Sequence, residues 1–337
     1  MPNAIYLDFE CLKTKTPTPM LLGVLLEVGG RRKLQQLIVS DELAHVPAGR
    51  SVRHATLEAA VRLVAEQAEA RDFPMVGWSN FDRDVIGRAV VLDDLKAVVS
   101  QRYVNALETA RPWKTLVYPD VKIARENAHA PRNTLDKFAA LAGYTNVAAL
   151  RRGEPAKWIR RVMKNGDSVR WRDVLAYNAH DLEALRAIWI KSSSELARWR
   201  SYQRASYYVD SDRGRTIQFK AGGKSGRLDA LLKRKDVKTW AFVTAWNPGS
   251  IERSRGANDA AQAKLIATLE SMGNPWLTGR GESNDGSWTP EESLLILGIS
   301  RRKARRLGRR FDQFAILAGR AGSPARLVSC AAPRMSP

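Results

Sequence analysis

Five residues carry types and spacings that suit chemistry. Asp8 and Glu10 stand two apart in Ala4 to Glu10, a segment that alternates apolar and polar residues. On a strand they project from one face. Two neighbouring carboxylates repel, and holding them together costs free energy unless a cation lies between them. Their bland alternative is a solvated strand face. Asp82 follows Asn80-Phe81 just beyond the apolar segment Met75 to Trp78. A carboxylate past the C-terminal end of a strand is well placed to face a cleft, although Asp82 or Asn80 could equally cap the next helix. Tyr177 and Asp181 are four apart and share a helix face, with Leu185 and Ile188 continuing the stripe. That pattern also fits a plain amphipathic helix with an aromatic and an acid at its edge.

The elements that must hold these residues are legible as patterns. Ile5, Leu7 and Phe9 alternate with Tyr6, Asp8 and Glu10, which predicts a half-buried strand. Leu21 to Val28 and Lys33 to Val39 predict two more strands, joined by a turn at Gly29-Gly30. Helices are expected at about His54–Ala70, Arg83–Asp93, Thr134–Ala142 and Ala179–Lys191, with Met75 to Trp78 as a short strand. Three sequential strands followed by helix, strand and helices is the α/β order of a sheet extended by a crossover.

Taken together, strand Asp-x-Glu, then Asn-Phe-Asp, then Tyr-x-x-x-Asp resembles the DEDD superfamily of 3′–5′ exonucleases. Tyr177 places the resemblance in the DEDDy branch, which includes polymerase proofreading domains. Tyr6-Leu7-Asp8-Phe9-Glu10, Tyr177-Asn178-x-x-Asp181-Leu182-Glu183-Ala184-Leu185 and Asn133-Thr134-Leu135 to Gly143-Tyr144 look closest to a predicted ribonuclease-H-like exonuclease group of bacteria and phages. The resemblance covers residues 3–190. It implies a ribonuclease-H-like mixed sheet flanked by helices, and a two-metal site using Mg²⁺ or Mn²⁺. Asp8 and Asp181 would bind or bridge the metals, Glu10 would join the first, Asp82 would hold the second, and Tyr177 would orient the attacking water. Asn80 directly abuts Phe81, whereas many relatives space the two, so Asp84 competes with Asp82 as the second-motif acid. Asp82 is preferred because it follows the aromatic residue. His180 is one residue before Asp181, and the His branch of the superfamily places its histidine five before, where this chain has Ala176. His180 is therefore not expected to be the general base.

Charge separates the chain into two parts. The 337 residues carry a formal charge of +20. Residues 1–197 hold 29 Lys+Arg against 23 Asp+Glu, net +6, and residues 198–337 hold 26 against 12, net +14. Two domains are expected, 1–195 and 205–337, with a seam around Ser192 to Arg204. The second reads as a smaller basic α+β domain. Ser300 is expected to cap a helix bearing Arg301, Arg302, Lys303, Arg305, Arg306, Arg309 and Arg310, and such a cluster gives sequence-independent affinity for nucleic acid. Arg151, Arg152 and Lys157 to Lys164, with Trp158 and Trp171, could add basic and stacking surface to the first domain. Ala221 to Gly226 is a loop lacking the first Walker glycine.

Ala241-Phe242-x-Thr244-Ala245-x-Asn247-Pro248, Asn258, Trp288-x-x-Glu291-x-Ser293 and Gly308-Arg309-Arg310-Phe311-x-Gln313-x-Ala315 resemble the domain-of-unknown-function 3293 family over residues 205–330. That resemblance brings no activity. The turns Asn247 to Ser250 and Trp288 to Ser293 could frame a pocket with Glu292 as anchor, or be turn chemistry alone. Two cysteines and four histidines exclude a disulfide scaffold and disfavour a zinc site. No apolar run is long enough to span a bilayer and no signal-peptide pattern opens the chain, so a cytoplasmic protein without a membrane partner is expected. The functional expectation is a metal-dependent 3′–5′ exonuclease with a basic module for nucleic acid or a partner. The alternatives are a non-catalytic nucleic-acid-binding protein of nuclease-like fold, and a C-terminal domain with its own nucleotide-related activity.

Overall fold

The structure, a computed structural model, describes residues 3–12, 16–122, 134–145 and 154–332. Asn133, Arg151 and Arg152 lie outside them. Two compact units divide the chain: Lys122–Ser193 with the residues before Trp113, and Ser194–Ala332 with Trp113–Val121.

The first unit begins with β1 (Ala4–Leu12), β2 (Thr18–Val28) and β3 (Arg31–Ile38). Gly29 and Gly30 have φ of +56° and +82°, the left-handed pair that a tight two-residue hairpin demands. There follow β4 (Val52–His54), α1 (Leu57–Arg71), β5 (Met75–Gly77), α2 (Phe81–Ala89), α3 (Asp93–Arg102), β6 (Tyr103–Asn105), α4 (Ala106–Val117), α5 (Leu135–Ala142), α6 (Pro155–Asn165) and α7 (Ser168–Arg204). Among the described residues six strands form one sheet in the order β4-β3-β2-β1-β5-β6. β2 is antiparallel to both β1 and β3, and β5 and β6 run parallel to β1.

Alternation along β1 sorts its side chains. Ile5, Leu7 and Phe9 enter a core with Val61, Val64 and Ala68 of α1. Ala4 and Tyr6 face the other way, against Leu182 and Leu185 of α7. Further along, Leu12 joins Trp158, Ile159, Trp171 and Val174 from α6 and α7. The acids of β1 fall between these last two clusters. A buried ion pair fixes α7 to the sheet: Arg186 Nε and Nη2 donate to the fully buried Glu27 at 2.9 and 2.6 Å. Breaking one side of such a pair costs about 3–5 kcal/mol.

The second unit contains β7 (Ser206–Asp210), β8 (Thr216–Phe219), α8 (Gly226–Arg234), β9 (Thr239–Val243), α9 (Arg255–Met272), β10 (Trp276–Glu282), β11 (Glu291–Leu297), α10 (Arg301–Arg310), β12 (Ala315–Arg320) and β13 (Arg326–Ser329). Its strands form an antiparallel sheet in the order β13-β12-β9-β11-β10-β7-β8. Trp240 and Phe242 meet α8 on one face, while Ala241 and Val243 meet α9 and α10 on the other. Burial on both faces explains the unbroken apolar run of β9. Residues 113–121 are tied into this unit. Trp113 Nε1 donates to Glu195 at 2.7 Å, and Ser329 Oγ donates to the Val117 carbonyl at 2.5 Å.

Several boundaries differ from the sequence expectation. The expected helix Arg83–Asp93 is broken at 90–92, giving α2 and α3. The helix expected from His54 starts after Thr56, whose side chain caps it, because Val52–His54 pairs as β4. Ser192 to Arg204, read as a seam, is helical throughout, since Leu196 and Trp199 extend the apolar stripe of α7. Gly279 to Gly286, polar and glycine-rich, begins within β10. A Cβ on Gly279 would lie 2.3 Å from the Tyr208 carbonyl oxygen and 2.9 Å from the Phe242 ring, so that glycine serves close packing. Among the described residues no helix is long and apolar enough to cross a membrane.

Candidate active site

β1 and β5 are parallel, and the candidate acids gather at their C-terminal ends. Asp8, Glu10 and Asp181 each place one carboxylate oxygen within 4.8 Å of the others. Asp82 arrives from the turn after β5. β5 ends at Gly77 while β1 runs on to Leu12, so the last backbone donors of β1 on that side have no strand to pair with. Asp82 meets one of them: Phe9 N–H donates to its Oδ1 at 3.1 Å. Asp82 is 4% exposed, whereas Asp84 is exposed and paired with Arg83. Geometry thus brings Asp82 and not Asp84 beside the β1 acids. Asn80 occupies the cap position of α2 without a capping bond from its side chain.

Tyr177 and Asp181 share the inner face of α7 as expected. Tyr177 is buried in the Trp158–Trp171 cluster. Burial and the charges of Asp181, Glu10 and Asp8 push its phenol upward, so it stands as a neutral hydroxyl. His180 accepts or donates at Nδ1 with Tyr144 Oη at 3.0 Å and groups with Asp136 and Asp181. Trp158 and Trp171 are 7% and 4% exposed, which makes them core residues and removes them as stacking platforms.

The electrostatics of the cluster follow from crowding. Asp8 keeps part of its surface open, yet the protein around its carboxyl pushes it up to about 6, against hydrogen bonds from Asn178 and Glu10 that pull it down. Burial and the charge of Asp8 push Asp82 up to about 8. Glu10 lies well above the usual carboxylate range through burial and then the charges of Asp8, Asp181 and Asp82. Its Oε1 is buried without a hydrogen-bond partner. Cys11, next to this group, is pushed up to about 12, which keeps it an unreactive thiol.

Residues other than the five candidates position the acids. Asn178 is fully buried; its Nδ2 donates to Asp8 Oδ2 at 2.9 Å and to the Asp8 carbonyl at 3.2 Å. Gln36 of β3 donates to Asn178 Oδ1 at 3.1 Å and to the Leu175 carbonyl at 2.8 Å. Gly23, opposite Asp8 in β2, clears the space: a Cβ there would sit 2.1 Å from Asn178 Oδ1. Gly77 does the same for Tyr103, whose hydroxyl donates to the Ser79 carbonyl beside Asp82. Only the parity of buried polar residues hinted at these roles. Gly23 interrupts the apolar run of β2, and Gln36 is buried within the mostly polar β3.

In the second unit the seven cations of α10 divide. Arg305 donates to the Ser329 carbonyl at 2.6 Å and pairs with Asp120, and Arg309 donates to the Cys330 and Ala331 carbonyls at 3.1 and 3.3 Å. These two hold the unit together. Arg301, Arg302, Lys303, Arg306 and Arg310 are exposed. Arg301 joins Arg320 and Arg326 around a depression of about 380 Å³.

Fold and site define an α/β protein with two sheets, an acidic cluster in one unit and a basic helix in the other. Residues 243–316 match the family described as "Protein of unknown function (DUF3293)", a narrower span than the 205–330 read from the sequence. No curated protein and no solved structure matches the chain.

Proposed function

We propose that the first unit is a two-metal-ion 3′–5′ exonuclease of DEDDy type and that the basic surface of the second holds the nucleic acid. One observation carries this reading: four carboxyl groups from β1, the first turn of α2 and α7 crowd together, with oxygens of Asp8, Glu10 and Asp181 within 4.8 Å of one another and Asp82 close enough for its charge to act on Glu10. An acid cluster of this kind raises its own pKa values unless cations enter it. The donor set fits hard divalent ions, since every group offers oxygen, and the orphaned Glu10 Oε1 has no other use. The order β3-β2-β1-β5-β6, antiparallel then parallel, supports the ribonuclease-H-like reading.

Asp8, Glu10 and Asp181 would hold one ion, and Asp82 with Asp8 the other. Bound Mg²⁺ or Mn²⁺ would offset charge on the attacking and leaving oxygens of a phosphodiester. Asn178 keeps the Asp8 carboxylate in a single orientation. Asp82 is fixed by Phe9 N–H. The neutral Tyr177 hydroxyl orients water at the cluster. The exposed cations of α10, with Arg320 and Arg326, would contact phosphates.

The test is Mn²⁺-dependent digestion of 5′-labelled single-stranded DNA and RNA. Wild type should shorten strands from the 3′ end, and Asp8→Ala and Asp181→Ala should not. Absence of digestion on both substrates in Mn²⁺ and Mg²⁺ refutes catalysis and leaves a binding protein. Equal digestion by the variants identifies a contaminant.

A further inference from the structure

Three stretches of the second unit that the acidic cluster does not use come together. They are the turn after β9, the segment entering β11 and the last turns of α7. They line a groove of about 690 Å³, within the size range of small-molecule sites. Two non-glycine residues of the β9 turn are held left-handed, Asn247 at φ +48° and Ser250 at φ +59°. Such conformations cost of order 1–3 kcal/mol each and cluster at functional sites.

A buried polar network holds this turn. Asn258, 3% exposed, accepts from Asn247 N–H at 2.8 Å and donates to Asn247 Oδ1 at 3.0 Å. Asn247 Nδ2 in turn donates to Glu291 Oε1 at 2.7 Å. Glu291, and not Glu292, is therefore the acid of the groove; Glu292 is exposed, 3.8 Å from Arg255. Burial pushes the Glu291 carboxyl upward. Behind Tyr202, Trp288 and Glu291 lies a cavity of about 40 Å³, also bordered by Thr244, Ser293 and Gln313. That is room for ordered water beside polar groups.

We propose that this groove binds a nucleoside monophosphate. Three chemical demands are set by its walls. Trp288 and Tyr202, edge to face at 6.1 Å, offer aromatic surface to a planar body. Glu291 lines the groove with Oε1 held by Asn247, and its other carboxylate oxygen, with no hydrogen bond among the described residues, can accept from base N–H or ribose O–H groups. Arg198, stacked on Phe314 at 5.1 Å, and Arg204, whose charge acts on the exposed Asp285, border the groove with no ion pair within 4 Å among the described residues, and suit a phosphate. Inorganic phosphate leaves the rings and Glu291 unused, and a plain aromatic molecule leaves Glu291 and the arginines unused. The groove shares no residue with the acidic cluster of the first unit.

The experiment is calorimetric titration of the full chain with AMP, GMP, CMP and UMP in EDTA. At least one mononucleotide should bind one to one with a Kd below ~100 µM. Its nucleoside and inorganic phosphate should each bind at least about tenfold more weakly. Arg204→Gln, at an exposed position, and the isosteric Glu291→Gln should each weaken the mononucleotide by about tenfold or more with Tm held. No mononucleotide binding overturns the proposal. So does binding that survives Arg204→Gln undiminished, whatever the stability of the Glu291 variant.

Discussion

Gly23→Ala isolates the packing that positions Asp8. The added Cβ would sit 2.1 Å from Asn178 Oδ1 and 2.7 Å from its Cγ and Nδ2. Asn178 is fully buried, so it cannot swing into solvent. It must shift against Gln36 and Asp8, loosening bonds of 3.1, 3.2 and 2.9 Å. Overpacking costs about 1–3 kcal/mol, and each buried polar group left unsatisfied about 1–3 kcal/mol. Replacing a strand glycine returns roughly 0.5–1 kcal/mol of chain entropy. The net expectation is a loss of about 2–4 kcal/mol. Asn178→Ala removes the obstacle, so Gly23→Ala made in that background should cost about 2 kcal/mol less than it does in wild type. Hydrogen exchange at the amides of β1 and β2 reads the loss locally, whether or not the chain unfolds in one step. A single-variant cost below about 1 kcal/mol, or a double variant equal to the sum of its singles, refutes the positioning role of Gly23.

Other consequences can be checked alongside. The native carboxyls of Asp8 and Asp82, at about 6 and about 8, lie above their ordinary value of 3.8, so their neutral forms favour the fold. That stability is full below about pH 4 and is lost as pH rises through 6 to 8. Mn²⁺ should therefore raise Tm more at pH 8 than at pH 6 in thermal melts. A gain independent of pH would contradict the assigned cause. Tyr177→Phe should retain Mn²⁺-induced stabilisation while digestion falls by about 100-fold; unchanged digestion removes the hydroxyl from the reaction. Arg305→Gln should lower stability by about 1–3 kcal/mol through its lost bonds to Ser329 and Asp120. Arg301→Gln should leave stability unchanged and reduce the salt slope of nucleic-acid binding by about 1; the reverse pattern would exchange their roles.

The acids were legible because each lies in a short local pattern: period two in β1, a strand end before Asp82, and i,i+4 spacing on α7. The roles of Gln36, Asn178 and Tyr103 were not, because their partners are strands or helices apart; Asn178 stood in the third motif with no role attached. β4, β5 and β6 are three residues each, too short for alternation to show; only β5 was read, through the Pro74 that precedes it. Val90 and Val91 continue an apolar pattern across the break between α2 and α3, which hid it. The choice between Glu291 and Glu292 depends on strand parity. The register Gly281↔Glu291 and Arg280↔Glu292 settles it only once β10 and β11 are paired.

The acidic cluster also bears on how such a sequence can change over generations. Glu10 and Asp82 occupy sites between hydrophobic clusters where an amide or an aliphatic side chain would fit with less strain. Random substitution there, Asp82→Asn for example, makes the metal-free fold more stable. A lineage under selection for folding alone would drift away from these acids quickly. Their presence is a standing cost in stability, one that a demand on the ionised forms, such as the proposed metal site would make, could hold in place.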